Sequence, residues 1–97
     1  MPTYIGLVKL TDQGIRNVKE TTKRAQSFRE MAELAGVKVR EVLWTMGRYD
    51  LVLVVDAPDD ETMVRVALRL GMLGNAKTET LKAFSAREMD QILMGLP

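Results

Sequence analysis

A single α+β domain, built as strand, helix, strand, strand, helix, strand, is the fold class that this chain predicts. Three observations carry it: four short extended segments alternate with two helix-length amphipathic ones, two of the strands are apolar on both faces, and 97 residues suffice for one domain with one layer of helices.

Thr3 to Leu10 (TYIGLVKL), rich in β-branched and aromatic residues and bounded by Pro2 and by Thr11-Asp12, reads as the first strand. Thr11 or Asp12 can cap the helix that follows. From Ile15 the residues Val18, Thr22, Ala25, Phe28, Ala32 and Ala35 recur at steps of three and four, the stripe of one long helix that stops at Gly36. The charges lie off that stripe, with Glu20–Arg24 and Arg29–Glu33 spaced four apart as candidate ion pairs on a solvated face.

Val37 to Met46 and Asp50 to Asp56 are the second and third strands, joined through Gly47-Arg48-Tyr49 in a spacing short enough for an antiparallel hairpin. Pro58 ends the third strand. Asp59, Asp60 and Glu61 then sit where the positive end of a helix dipole favours acids, so a second helix runs to Leu73 and closes at Gly74-Asn75. Met63, Val64, Val66, Ala67, Leu70 and Leu73 form its broad apolar side. Ala76 to Phe84 alternates weakly, as an edge strand does. Ser85 with Glu88 fits a capping box opening a tail helix to about Met94, apolar along Met89, Ile92, Leu93 and Leu96. No linker or internal repeat interrupts the chain, so residues 1–97 are read as one domain.

This order is the ferredoxin-like βαββαβ sandwich, whose right-handed crossovers put the first and third strands in the middle of the sheet. Those are the two segments that are apolar on both sides: Tyr4, Gly6 and Val8 back Ile5 and Leu7, while Val52 and Val54 back Leu51, Leu53 and Val55. Helices cover one side only. Leaving a Val or Leu side chain in water forfeits ~1.5–3 kcal/mol, so the expectation is a homodimer or higher oligomer in which two sheets pack face to face, a dimeric α+β barrel. The competing arrangement is a monomer whose tail helix folds across the open face.

Fourteen basic residues against thirteen acidic ones, intermingled, give a formal charge of +1 and no field to attract nucleic acid or an anionic membrane. Neither is expected as a partner. Cysteine and histidine are both absent, which removes disulfides, thiolate nucleophiles and the commonest general base and metal ligand. Neither a metal nor a cofactor is expected, and no residue is assigned as catalytic. With no signal-peptide pattern at Met1-Pro2-Thr3-Tyr4 and no apolar run near ~20 residues, a cytoplasmic location is expected.

The hairpin carries the candidate functional residues. Gly47 can supply a positive φ, and Asp50 can accept hydrogen bonds from turn amides. Arg48, Tyr49 and Asp50 beside Trp44 would gather a cation, a phenol, a carboxylate and an aromatic wall into a small-ligand mouth. Trp44 can equally serve as a core or interface anchor.

At these residues a resemblance enters. Thr45-Met46-Gly47-Arg48-Tyr49-Asp50, with Lys9-Leu10-Thr11-Asp12-Gln13-Gly14 upstream and Ala57-Pro58-Asp59-Asp60 and Thr78-Glu79-Thr80-Leu81 downstream, resembles the GYD-domain family of small bacterial and archaeal proteins. That resemblance covers nearly the whole chain and implies the fold, but no established activity. Gly47 to Val55, Gly74 and Thr78 to Leu81 are more loosely similar to the effector-binding domains of Lrp/AsnC-type regulators, which dimerise through their sheets and bind small effectors at subunit contacts. No helix-turn-helix precedes the first strand, so direct regulation of DNA is not expected.

The function these readings support is an oligomeric small-ligand-binding or regulatory module, with a small metabolite held at the subunit interface. An alternative is a cofactor-free enzyme similar to the monooxygenases and isomerases of the dimeric α+β barrel type, with Asp50, Lys9, Glu41, Tyr4 or Tyr49 moving protons. A third is a protein-interaction scaffold acting through the tail helix.

Overall fold

Alternation along the two central strands divides the sheet into a covered and an open face. In the computed structural model, which describes residues 1–97, the strands are β1 (Thr3–Leu10), β2 (Lys38–Trp44), β3 (Leu51–Asp56) and β4 (Ala76–Ala83). The helices are α1 (Asp12–Arg16), α2 (Thr21–Leu34), α3 (Asp60–Met72) and α4 (Ala86–Met94), with a 3-10 turn at Val18–Glu20. The sheet is antiparallel in the order β2-β3-β1-β4, so the first and third strands are central, as the ferredoxin-like order requires.

Tyr4 and Val8 of β1 and Leu51, Leu53 and Val55 of β3 are buried beneath the helices. They meet Phe28 and Ala32 of α2 and Met63 and Val66 of α3 in one apolar cluster. Ile5, Leu7, Val52 and Val54 point the other way and are half-buried. Register places Leu81 beside Ile5 and Leu43 beside Val52, each about half exposed, so an apolar band crosses all four strands of the open face.

The single long helix expected after Thr11 is broken into α1, the 3-10 turn and α2. Thr11 caps α1 by accepting from the Gly14 amide (3.1 Å), yet its own amide and hydroxyl donate to Asn75 O (3.0 Å) and Gly74 O (2.6 Å). This ties α1 to the α3–β4 turn while α2 must lie along β2, and the chain bends at Asn17 (φ −108°, ψ 24°) to reach it. Ile15 and Val18 of the predicted stripe consequently stay exposed.

The expected ion pairs change partners too. Glu20 meets Lys23 (3.4 Å), while Arg24 donates to Asn17 O and Arg29 to Val39 O. A backbone carbonyl at an element end offers an acceptor already fixed in place, so it wins over a mobile carboxylate one turn away.

Of the apolar side expected on α3, only Met63 and Val66 are buried; Val64 and Leu73 are exposed, as are Leu68 and Met72. The reason lies in β4, whose residues on that side of the sheet after the buried Ala76 are Thr78, Thr80 and Lys82, opposite Val8, Gly6 and Tyr4. An edge strand so polar cannot cover the outer flank of α3. The Ser85–Glu88 capping box forms on α4, and every residue of that helix is exposed, so it does not roof the open face. No helix is long and apolar enough to cross a membrane.

Candidate functional site

The β2–β3 connection is built by its own residues. Gly47 adopts φ +117°, which a side chain rarely tolerates. The Thr45 amide donates to Asp50 O (2.9 Å) and its hydroxyl to Tyr49 O (2.6 Å), closing the hairpin. Asp50 then joins the hairpin to β1: its amide donates to Val8 O (2.8 Å) and its Oδ2 accepts from the Leu10 amide (2.8 Å). The regular β1–β3 ladder ends at the Val8–Leu51 pair, so the Asp50 carboxylate satisfies an amide that would otherwise lose its sheet partner.

Arg48 and Tyr49 lie at the same end of the sheet. Lys9 Nζ donates to Arg48 O (3.3 Å), and the Tyr49 hydroxyl donates to Glu79 Oε2 (3.2 Å), reaching across β1 to β4. Glu79 pairs with Leu7 and therefore belongs to the open face. Lys9, Arg48, Tyr49 and Glu79 thus form a polar margin to the apolar band. Trp44 goes elsewhere. It pairs with Leu51, whose side chain is beneath the helices, and its Nε1 donates to Thr21 Oγ1 at the start of α2 (3.0 Å). Arg48, Tyr49 and Asp50 are consecutive in the hairpin, with the Tyr49 hydroxyl on Glu79 and the Asp50 carboxylate on the Leu10 amide, whereas Trp44 lies on the helix side.

Two further constellations come from residues far apart in the chain. The buried Tyr4 hydroxyl donates to Asp60 Oδ1 at the start of α3, and Lys82 Nζ reaches the same oxygen (3.2 Å). The hydrogen bond to Asp60, then burial, push the Tyr4 phenol up to about 12, while Tyr4 and then Lys82 hold the Asp60 carboxyl below its usual range. Asp59, the N-cap of α3, is lowered by its bonds from Thr62. The phenol of a tyrosine at an inward strand position needs a polar partner, a signal that sequence can give without naming the partner.

The other constellation is a cleft of about 450 Å³ where α2 and α3 stand apart over the sheet. Val8, Leu51 and Leu53 form its floor, with Phe28 and Met31 on the α2 wall and Leu70 on the α3 wall. Its only ionisable lining residues are Arg24 and Arg69. No group of three or more Asp or Glu side chains comes together to hold a metal ion.

Against known families, residues 4–93 match the GYD-domain model. The chain belongs to the GYD-domain family. A relative 36% identical over 90 residues, spanning 92% of this chain and 95% of its own length, is the glutamine synthetase and cystathionine beta-lyase binding protein of Thermus thermophilus. The crystal structure of TTHA0845, also from Thermus thermophilus, is 34% identical, with a TM-score of 0.56 over 89% of this chain and 96% of that one. In this GYD-domain protein, Gly47 and Asp50 shape the hairpin and fasten it to β1, and Tyr49 of the same triplet presents its ring to the open face.

Proposed function

We propose that this protein is a regulatory binding module that works as a homodimer and docks on enzymes. Self-association would stack the open sheet faces, enclosing Ile5, Leu7, Val52 and Val54 of each copy between flanking Leu43 and Leu81. The observation that carries this reading is the continuous apolar band on the side of the sheet that no helix covers. Support for an enzyme as the external partner comes from the relative named for binding glutamine synthetase and cystathionine beta-lyase. Arg48 and Tyr49, with Lys9 and Glu79, would rim the stacked faces, where a small effector could bridge two subunits; Asp50 would position that rim, while Trp44 on the helix side would stand apart from it.

The scaffold reading keeps one specific support. Met89, Ile92 and Leu93 of α4 are 44–50% exposed, an apolar strip beyond the sheet that suits a protein partner after dimerisation.

Sedimentation of wild type and Val54→Asp, together with interferometry against purified glutamine synthetase, tests the proposal. Wild type should sediment as a dimer and bind the enzyme, and Val54→Asp should be a monomer with weakened binding. A wild-type monomer at high loading overturns the stacked dimer. Absence of binding to both glutamine synthetase and cystathionine beta-lyase overturns the partner class.

A further inference from the structure

We propose that the cleft between α2 and α3 binds a small monocarboxylate with an apolar body, its hydrocarbon among Phe28, Leu51, Leu53 and Leu70 and its carboxylate on Arg24 and Arg69. The site lies within one subunit, on the opposite side of the sheet from the proposed dimer face, and is independent of that reading.

Size is the first argument. Protein interiors are packed so that voids larger than a water molecule are few, and small-molecule sites occupy ~300–1,000 Å³. At about 450 Å³ the cleft belongs with the second group. Its apolar walls give water few partners, so hydrocarbon that fills it is favoured in proportion to the apolar surface it removes from solvent.

Charge is the second. Elsewhere on the surface, Arg40 meets Asp56 (3.3 Å) and Arg65 lies near Glu61 (3.8 Å). Arg24 and Arg69, like Arg16, Arg29, Arg48 and Arg87, pair with no carboxylate, but they are the two that line the cleft, and none of the residues lining it is acidic. Arg24 gives one donor to Asn17 O and keeps the rest of its guanidinium free. Two arginines lining one apolar cleft, with no acid among its walls, complement an anion, and the planar fork of arginine matches a carboxylate. A cationic amphiphile would meet uncompensated repulsion, and a neutral one would leave both arginines unused.

A built-in reporter sits at the edge. Thr21 lines the cleft, and its hydroxyl accepts from the indole of Trp44, the only tryptophan in the chain.

The test uses the full-length protein and decanoate below its micellar range, followed by calorimetry and Trp44 emission. Saturable one-to-one binding is expected, at least tenfold tighter than for 1-decanol and stronger still relative to decyltrimethylammonium. Arg24→Gln with Arg69→Gln should weaken decanoate at least tenfold and leave 1-decanol unchanged. Ala25→Leu, which adds bulk to the lining, should weaken both ligands while circular dichroism confirms the fold. Val54→Asp should bind decanoate as wild type does, which separates this site from the dimer proposal. Non-saturable uptake, equal affinity for decanoate and 1-decanol, or decanoate binding indifferent to the arginine pair would each overturn the assignment.

Discussion

Replacing Gly14 by alanine sets two opposed effects against each other, and the structure decides which prevails. Gly14 lies within α1, where alanine is intrinsically favoured over glycine by ~1 kcal/mol. A Cβ at this position, however, would stand 2.1 Å from Asn75 O and 3.1 Å from its carbonyl carbon, whereas ordinary contact begins at 3.4 Å. The obstacle is backbone, so α1 and the α3–β4 turn must separate by more than about 1 Å. That movement strains the bonds joining them: Thr11 amide to Asn75 O, Thr11 hydroxyl to Gly74 O, and Gln13 Nε2 to Leu73 O and Asn75 Oδ1. Overpacking costs ~1–3 kcal/mol, and each weakened hydrogen bond adds ~0.5–1.5 kcal/mol. With four such bonds, and after subtracting the gain in helix propensity, a net loss of roughly 2–8 kcal/mol is expected, which for a domain of this size lowers Tm by about 8 °C or more. Gly71 is the control: it lies inside α3, and a Cβ added there would meet nothing within 4 Å, so Gly71→Ala should raise stability by up to ~1 kcal/mol. Thermal and urea unfolding followed by circular dichroism, at one fixed protein concentration because the proposed self-association would shift Tm, measures both. A Gly14→Ala protein as stable as wild type would refute the tie between α1 and the α3–β4 turn.

The remaining predictions concern polar groups that bridge distant segments. Because the Asp60 carboxyl is lowered in the folded state, its contribution is present above its unfolded pKa and is lost as pH falls through the folded value. Tyr4 is the mirror case: with its phenol at about 12 against an ordinary 10.0, its contribution is present below 10.0 and is lost as pH rises towards 12. Tyr4→Phe should therefore flatten the alkaline limb of a urea-midpoint profile and shallow the acid limb, where Lys82 still holds Asp60; profiles parallel to wild type above about pH 10 would count against the Tyr4–Asp60 bond. Asp50→Ala leaves the Leu10 amide without its acceptor and should cost ~1–3 kcal/mol, with hydrogen exchange accelerating at Leu10; unchanged protection there would mean that the carboxylate does no such work.

How much of this was legible in sequence depends on how far each cause reaches along the chain. The double-faced apolarity of Ile5 to Val8 and Leu51 to Val55 belongs to the strands themselves, and it placed both in the centre of the sheet. Gly47 and the Ser85–Glu88 box are likewise local, since a turn or a cap needs only its own few residues. The Thr11–Gly74 and Tyr4–Asp60 bonds join residues 63 and 56 positions apart, and no periodicity encodes them. The broken helix follows from the first of these: a stripe from Ile15 to Ala35 looks continuous until α1 is fastened to a turn that α2 does not share. For the candidate mouth, chain proximity suggested that Trp44 would join Arg48, Tyr49 and Asp50, but strand alternation turns Trp44 towards Thr21 while Tyr49 crosses to Glu79.

Strand β4 decides where the surplus apolar surface of this chain ends up. An edge strand with unpaired amides and carbonyls invites pairing with other chains, and polar or charged side chains oppose it. Thr78, Thr80 and Lys82 supply that protection on the helix side, but the same residues leave Val64, Leu68 and Met72 of α3 without a cover. Making those β4 positions apolar would bury the flank of α3 and leave a greasier edge. On the open side Leu81 instead extends the band begun by Ile5 and Val54, while Glu79 holds Tyr49 at its margin. One strand therefore keeps its helix-side edge polar and adds to the apolar band on the other, which is why the proposed pairing with a second copy uses the sheet's uncovered side rather than its edge.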